Sequence, residues 1–240
     1  MIDQSIHNLL RNVGGNILDI GCGRGRVIKS LLETNGIDRF IIGLDMDIEK
    51  LNEAVAELNR HHNVSFICST SSMLPIRDNA IDNVISMMML HELYIEDVEP
   101  TLDEAYRVLK SEGRLIVGDK LRIKPSRPSE ELPILTEDTY HKAILYAIGK
   151  KKWGLHEASK IINMIQRKGF ILKDLHHINT RILSPQEFLE SWGRDTIRYI
   201  DMIKEDKKRE EVNRMVYRIK EIASKHGYGP AKILYLIFKK

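Results

Sequence analysis

Cysteine is scarce in this 240-residue chain: Cys22 and Cys68 are the only two. They form neither a CxxC pair nor a Cys/His ligand array, which points to a reduced, intracellular and cytoplasmic protein. No run approaches the ~20 apolar residues that a transmembrane helix needs. The longest uncharged stretch, 61–76, is 16 residues and is rich in Ser, His and Asn, so no membrane span is expected. With the polar opening MIDQSIHN and Asp3 inside it, no signal peptide is expected. Seven prolines, 15 glycines and a 42% hydrophobic share exclude collagen-like and disordered compositions. A chain this long removes roughly 70% or more of its unfolded surface from water on folding, so it needs no disulfide or metal to fold.

Net charge is small, +3, but unevenly spread. Residues 1–119 hold 11 Lys/Arg against 19 Asp/Glu, whereas residues 120–240 hold 26 against 15. Such asymmetry is compatible with an acidic or nucleic-acid partner for the second half. Solvated helix faces are the preferred reading for most of these charges.

The first half alternates apolar strands with amphipathic helices. Residues 16–20 (NILDI) form a strand that stops at a glycine cluster. Val27, Ile28, Leu31 and Leu32 then follow helical spacing, with Gly36 as the stop. A second strand covers 39–44, followed by a helix face of Ile48, Leu51, Val55 and Leu58 with Asp47 as N-cap. Strands follow at 64–68 and 81–87. Leu102, Ala105, Tyr106 and Leu109 mark a helix closed by Gly113 before a fifth strand at 114–118. Such alternation implies a parallel sheet covered on both faces, which binds ligands beyond the strands' carboxyl ends.

The second half changes character. The prolines at 125, 128 and 133 predict an extended loop over 120–135, with Thr136 capping a helix that carries Tyr140, Ala143, Ile144, Ala147 and Ile148. A further helix bears Ala158, Ile161, Ile162 and Ile165 and stops at Gly169, before a strand at 170–179. Ser184-Pro185-Gln186-Glu187 is a capping box with proline at the first helical position. Val212, Met215, Val216, Ile219 and Ile222 mark a later helix ending at Gly227, and 231–238 reads as the last strand. Residues 182–227 thus read as a helical insertion between the last two strands.

The strongest chemical signal is Asp19-Ile20-Gly21-Cys22-Gly23-Arg24-Gly25, at a strand-to-helix turn. Glycines there let the backbone bend sharply and approach a ligand. A dinucleotide site wants GxGxxG, but position 26 is arginine, so the spacing is GxGxG preceded by an acid. Asp45 follows Gly25 by 20 residues at the end of the next strand, where an acid can accept both hydroxyls of a ribose. Each piece also has a structural reading: Asp45 or Asp47 as a helix cap, Asp19 as a satisfied strand-end acid. Cys22 in the turn and Cys68 on a buried strand are read as small packing residues.

NILDIGCGRGRV, IIGLDMDIEKL, LPIRDNAIDNVIS and LDEAYRVLKSEGRLIVGD together resemble the successive signatures of class I S-adenosylmethionine-dependent methyltransferases of the type-11 or UbiE-like branch. The resemblance covers about residues 14–120. It implies an α/β fold, a doubly wound, seven-stranded, mostly parallel sheet of order 3-2-1-4-5-7-6, with adenosylmethionine across the ends of strands 1, 2 and 4. Carried over, it sets Gly21, Cys22, Gly23 and Gly25 against the methionine moiety with Asp19 beneath. Asp45 then meets the ribose, Met46 the adenine, and Ser86 and Met87 border the methyl group. The aspartate that the family often places five residues before a Leu-Pro step is Thr70 here; Thr70 or Ser71 is expected to substitute through a hydroxyl or backbone group.

On this reading residues 1–240 form a single methyltransferase domain, with 14–120 as the cofactor-binding core and 121–168 and 182–227 as helical cover over the substrate. His91 is the candidate base, with a structural role as the alternative. HELYIED lacks the second histidine of HExxH, so no metal is expected. The acceptor is read as a small molecule, anionic or aromatic. The alternatives are RNA methylation by the basic half, where Lys150–Lys152, Trp153, Trp192, Arg194 and Arg198 lie, and a non-catalytic adenosylmethionine-binding protein. Trp192, four residues from Phe188, also fits a core position. A homo-oligomer is left open.

Overall fold

The computed structural model describes residues 9–34 and 37–240. The stop expected at Gly36 and the opening segment with Asp3 lie outside the described residues.

Among these, seven strands form one sheet in the order β3-β2-β1-β4-β5-β7-β6, with β7 antiparallel to both its neighbours. They are β1 Gly15–Ile20, β2 Arg39–Asp45, β3 Val64–Cys68, β4 Ile81–Met87, β5 Leu109–Lys120, β6 Ile171–Asn179 and β7 Lys232–Lys239. This is the expected doubly wound order. Helices α1 Arg26–Leu32, α2 Ile48–Leu58, α3 Ile95–Val108 and α5 Ala158–Gln166 cover the faces. Period-two alternation sorts the strand residues between two cores. Leu18, Val84, Leu115 and Val117 join Leu102, Ala105, Ile161 and Ile165 on one face. Ile17, Ile85 and Ile116 join Ile28, Leu31, Leu51 and Leu58 on the other. Removing a branched side chain from either layer would cost about 2–5 kcal/mol.

The helices expected to cover the substrate are α4 Pro128–Ile148 together with α6 Pro185–Ser191, α7 Arg194–Met202 and α8 Asp206–His226, the last three lying within 182–227 between β6 and β7. The capping box at Ser184 is formed in both directions. Asp47 caps α2 through bonds from the Glu49 and Lys50 N–H groups.

Several expectations are corrected. The stretch 120–135 is not wholly extended, because α4 begins at Pro128 and passes through Pro133. Pro128 sits where its missing N–H costs nothing. Pro133 deprives the Ser129 carbonyl of its usual partner, but the Gly229 N–H donates to that oxygen at 2.8 Å. Thr136 is therefore inside the helix, bonding back to the Leu132 carbonyl at 2.8 Å. Helix α3 stops at Val108 rather than at Gly113, and β5 starts at Leu109, with an irregular register against β4 before Arg114. Ile48 and Val55 are exposed, and Ala54 joins Leu51 and Leu58 on the buried face. Cys68 is exposed, not buried, because β3 is an edge strand with one open side.

Candidate functional site

The glycine turn joins β1 to α1 at the carboxyl end of the sheet. Gly21, Gly23 and Gly25 all have left-handed backbones, φ +72°, +52° and +75°, which any other residue adopts only at a cost. The end of β2 pins the turn: the Gly21 and Cys22 N–H groups donate to the Leu44 carbonyl at 2.7 and 3.0 Å. The Gly23 N–H donates to Asp45 Oδ2 at 2.8 Å. A side chain at Gly21 would collide with Met89, and one at Gly25 with Leu58. At Gly23 a Cβ would meet nothing within 4 Å. Two glycines thus serve packing, and the third leaves a bare backbone facing open space.

Two acids flank that space. Asp45 also accepts from the Asp47 N–H at 2.9 Å through Oδ1. Asp19 is 1% exposed, and its Oδ2 has no hydrogen-bond partner. Burial, and then the charge of Asp45, hold its carboxyl well above the usual carboxylate range. Burial followed by both acids pushes the Cys22 thiol up, which suits a packing residue and not a nucleophile.

Of the residues expected to border the ligand, Met46 is 72% exposed beside the turn. Thr70 Oγ1 lies 2.8 Å from Ser72 Oγ. Ser71 points inward, its hydroxyl 2.8 Å from Thr101 Oγ1, so the side-chain role considered for it is spent inside the fold. Ser86 and Met87 are buried at the end of β4, where Ser86 Oγ donates to Met89 Sδ at 3.3 Å. Met88 was not anticipated. It is left-handed, φ +56°, a costly state for a long side chain. Its N–H donates to the Gly118 carbonyl at 2.6 Å, tying the ends of β4 and β5 together.

Beyond β4 a 3-10 turn, Leu90–Glu92, presents His91. Asp119, 2% exposed at the end of β5, holds this histidine twice: Oδ2 accepts the backbone N–H at 3.0 Å and Oδ1 pairs with ring Nδ1. Burial of the ring opposes its charged form, but Asp119, then Glu137 and Glu92, outweigh it and raise its pKa. Its Nε2 faces Glu92 at 3.5 Å and Glu137 at 4.0 Å. Glu137 and His141, one turn apart on α4, and Lys120, which pairs with Glu137, went unnoticed as site candidates. Their i, i+4 spacing was readable, but their meeting with His91 depends on α4 crossing the strand ends. Glu92, despite burial, is held down at about 2 by His141, His91 and Lys152.

Rings link α7 and α4 to the turn after β4: Tyr199 on α7 packs edge-on against Tyr140, ring centroids 5.8 Å apart, and Tyr140 lies 5.7 Å from His141, itself 6.3 Å from His91. Lys150 and Lys152 sit over the Tyr94 ring at 4.8 and 4.2 Å. Trp192 stacks on Phe188 at 5.7 Å and packs with the apolar residues of the cover, the core alternative. A groove lined by Pro128, Glu131, Arg218 and His226 shares no residue with the glycine turn.

Residues 18–117 match the family model described as a methyltransferase domain. The ubiquinone/menaquinone biosynthesis C-methyltransferase UbiE of Rickettsia prowazekii is 30% identical over 119 residues, 47% of this chain and 47% of that protein. The arsenite methyltransferase of Halobacterium salinarum is 31% identical over 115 residues, 47% of this chain and 29% of that one. The chain thus spans about half or less of the curated relatives it matches. The crystal structure of YcgJ from Bacillus subtilis superposes over 99% of this chain and 98% of its own, with a TM-score of 0.65 at 18% identity. That is a likeness of fold.

Proposed function

We propose that this chain is a class I S-adenosylmethionine-dependent methyltransferase, as the match of residues 18–117 to a methyltransferase domain supports, and that it methylates a small-molecule acceptor enclosed between the strand ends and the helical cover. The observation that carries the reading is the run of ring contacts from His91, after β4, through His141 and Tyr140 on α4 to Tyr199 on α7, with centroids 6.3, 5.7 and 5.8 Å apart. Lys150 and Lys152 beside Tyr94 suit an anionic or aromatic acceptor.

Three features fit adenosylmethionine: the bare backbone at Gly23, the unmet buried oxygen of Asp19, and Asp45 one strand away. Gly21 to Gly25 would receive the methionine part with Asp19 beneath. Asp45 would take the ribose hydroxyls and Met46 the adenine, with Thr70 and the Ser71 backbone nearby. When bound, adenosylmethionine supplies an electrophilic methyl group whose departure leaves a neutral thioether. Alignment of the acceptor by Ser86, Met87, Met88 and the cover then does most of the work. We assign no general base: His91 is held by Asp119 with its free nitrogen toward Glu92 and Glu137.

The basic second half favours RNA as the second reading. Against it, many of those cations are paired, as Lys142 is with Glu211 at 2.6 Å, Arg218 with Glu131 at 2.5 Å and Lys225 with Glu221 at 2.9 Å. The test incubates the full chain and methyl-labelled adenosylmethionine with a cell extract split into low-mass, RNA and protein fractions. Label in the low-mass fraction supports the proposal, and label in RNA replaces it with the second reading. Binding of adenosylhomocysteine without transfer anywhere would favour a non-catalytic protein.

A further inference from the structure

HELYIED offers one imidazole where a zinc motif of that type would need two, but α4 brings a second. Four side chains from two separate elements converge: His91 and Glu92 on the turn after β4, Glu137 and His141 on α4. His91 Nε2 lies 3.5 Å from Glu92 Oε1 and 4.0 Å from Glu137 Oε2. His141 Nε2 lies 3.6 Å from that same Glu92 oxygen and 3.8 Å from that same Glu137 oxygen. One ligand atom from each of His91, Glu92 and Glu137 falls within 4.8 Å of the other two.

These separations are too long for good hydrogen bonds. The two to Glu92, 3.5 and 3.6 Å, match the edge of a tetrahedron around a common ion, which for bonds of 2.0–2.2 Å is about 3.3–3.6 Å; the two to Glu137, 4.0 and 3.8 Å, exceed it by a few tenths of an ångström. His141 is the independent sign. Its side chain is 10% exposed, yet Nε2 is buried without a hydrogen-bond partner, and it aims at the two carboxylates. The outer atoms of the set are held as metal ligands commonly are. Asp119 takes His91 Nδ1, leaving Nε2 for an ion, and Lys120 takes the other oxygen of Glu137. Lys152 lies 3.9 Å from the other oxygen of Glu92.

We propose that His91, Glu92, Glu137 and His141 form a binding site for one divalent transition-metal cation, Zn²⁺ being the best match to two imidazoles and two carboxylates. The ion would fasten α4 to the turn after β4, joining the cover to the sheet. This does not depend on which acceptor is methylated, or on methyl transfer at all.

The test is calorimetric titration of the full chain, stripped with a chelator, by ZnCl₂ and separately by MgCl₂, with no adenosylmethionine present. The expected result is one zinc per chain with a dissociation constant below about 1 μM, magnesium at least about 100-fold weaker, and a higher melting temperature with zinc. Zinc-edge X-ray absorption should show two imidazoles and oxygen ligands. His141→Gln and Glu137→Gln should each weaken zinc at least about 10-fold, whereas His176→Gln, at the exposed pair with Asp174, should not. The wild-type titration needs no variant: absence of zinc uptake overturns the proposal. So does uptake that is unchanged in both folded α4 variants.

Discussion

Gly23 allows the role of the glycine turn to be separated from its contribution to folding. Replacing it by alanine imposes a left-handed backbone on an L-residue at φ +52°, with no atom within 4 Å for the new methyl group to strike. Gly149, which ends α4, has φ +74° and the same empty surroundings. Both substitutions should therefore cost about 1–2 kcal/mol of stability from backbone strain alone, measured by urea unfolding. Their effects on ligand binding should differ. The Gly23 methyl occupies the space where the bare backbone would meet the cofactor, so Gly23→Ala should weaken adenosylhomocysteine at least about 100-fold, roughly 2.8 kcal/mol. Gly149→Ala should bind as the wild type does. Equal affinities for the two variants, with both folded, would refute the assignment of the turn to the cofactor.

Asp45→Ala should weaken adenosylhomocysteine by about 1–3 kcal/mol through lost hydrogen bonds, and unchanged calorimetric affinity would remove its ribose role. The same variant should loosen the turn, since the Gly23 and Asp47 N–H groups lose their acceptors. Burial, then Lys160 and Arg122, lower the His156 pKa from 6.5 to about 4, so the unfolded chain takes up that proton more readily than the folded one. Stability from this group is fully present above about pH 6.5 and is lost as pH falls towards 4, by about 2 kcal/mol after allowing for partial exposure. His156→Gln should flatten that part of a pH–stability curve, and an unchanged slope would contradict the assignment. Ser184→Ala breaks the capping box of α6 and should cost about 1 kcal/mol in thermal or chemical unfolding; no loss would mean the cap is not felt.

The strands, the glycine turn and the acid at the end of β2 were legible because each depends on neighbours close in the chain, whereas the strand order followed from the family resemblance. Apolar alternation marks a strand, and a glycine cluster after it marks a bend, wherever the rest of the molecule lies. The failures share a different cause. The start of α4 was hidden because Pro133 reads locally as a breaker, while the group that makes it tolerable, the Gly229 N–H, arrives from the far end of the chain. Ser71 reads as a loop hydroxyl free for a ligand until Thr101 on α3 takes it. Glu137 and His141 show their helical spacing, but nothing local says that α4 carries them over His91. Cys68 was misplaced for a simpler reason: strand composition alone does not reveal an open edge.

The most direct measurement is a calorimetric titration of the purified full chain with S-adenosylmethionine and with S-adenosylhomocysteine. The account predicts that each binds once per chain at the carboxyl end of β1 and β2. Silence with both, beside clear uptake of a nicotinamide dinucleotide, would contradict it.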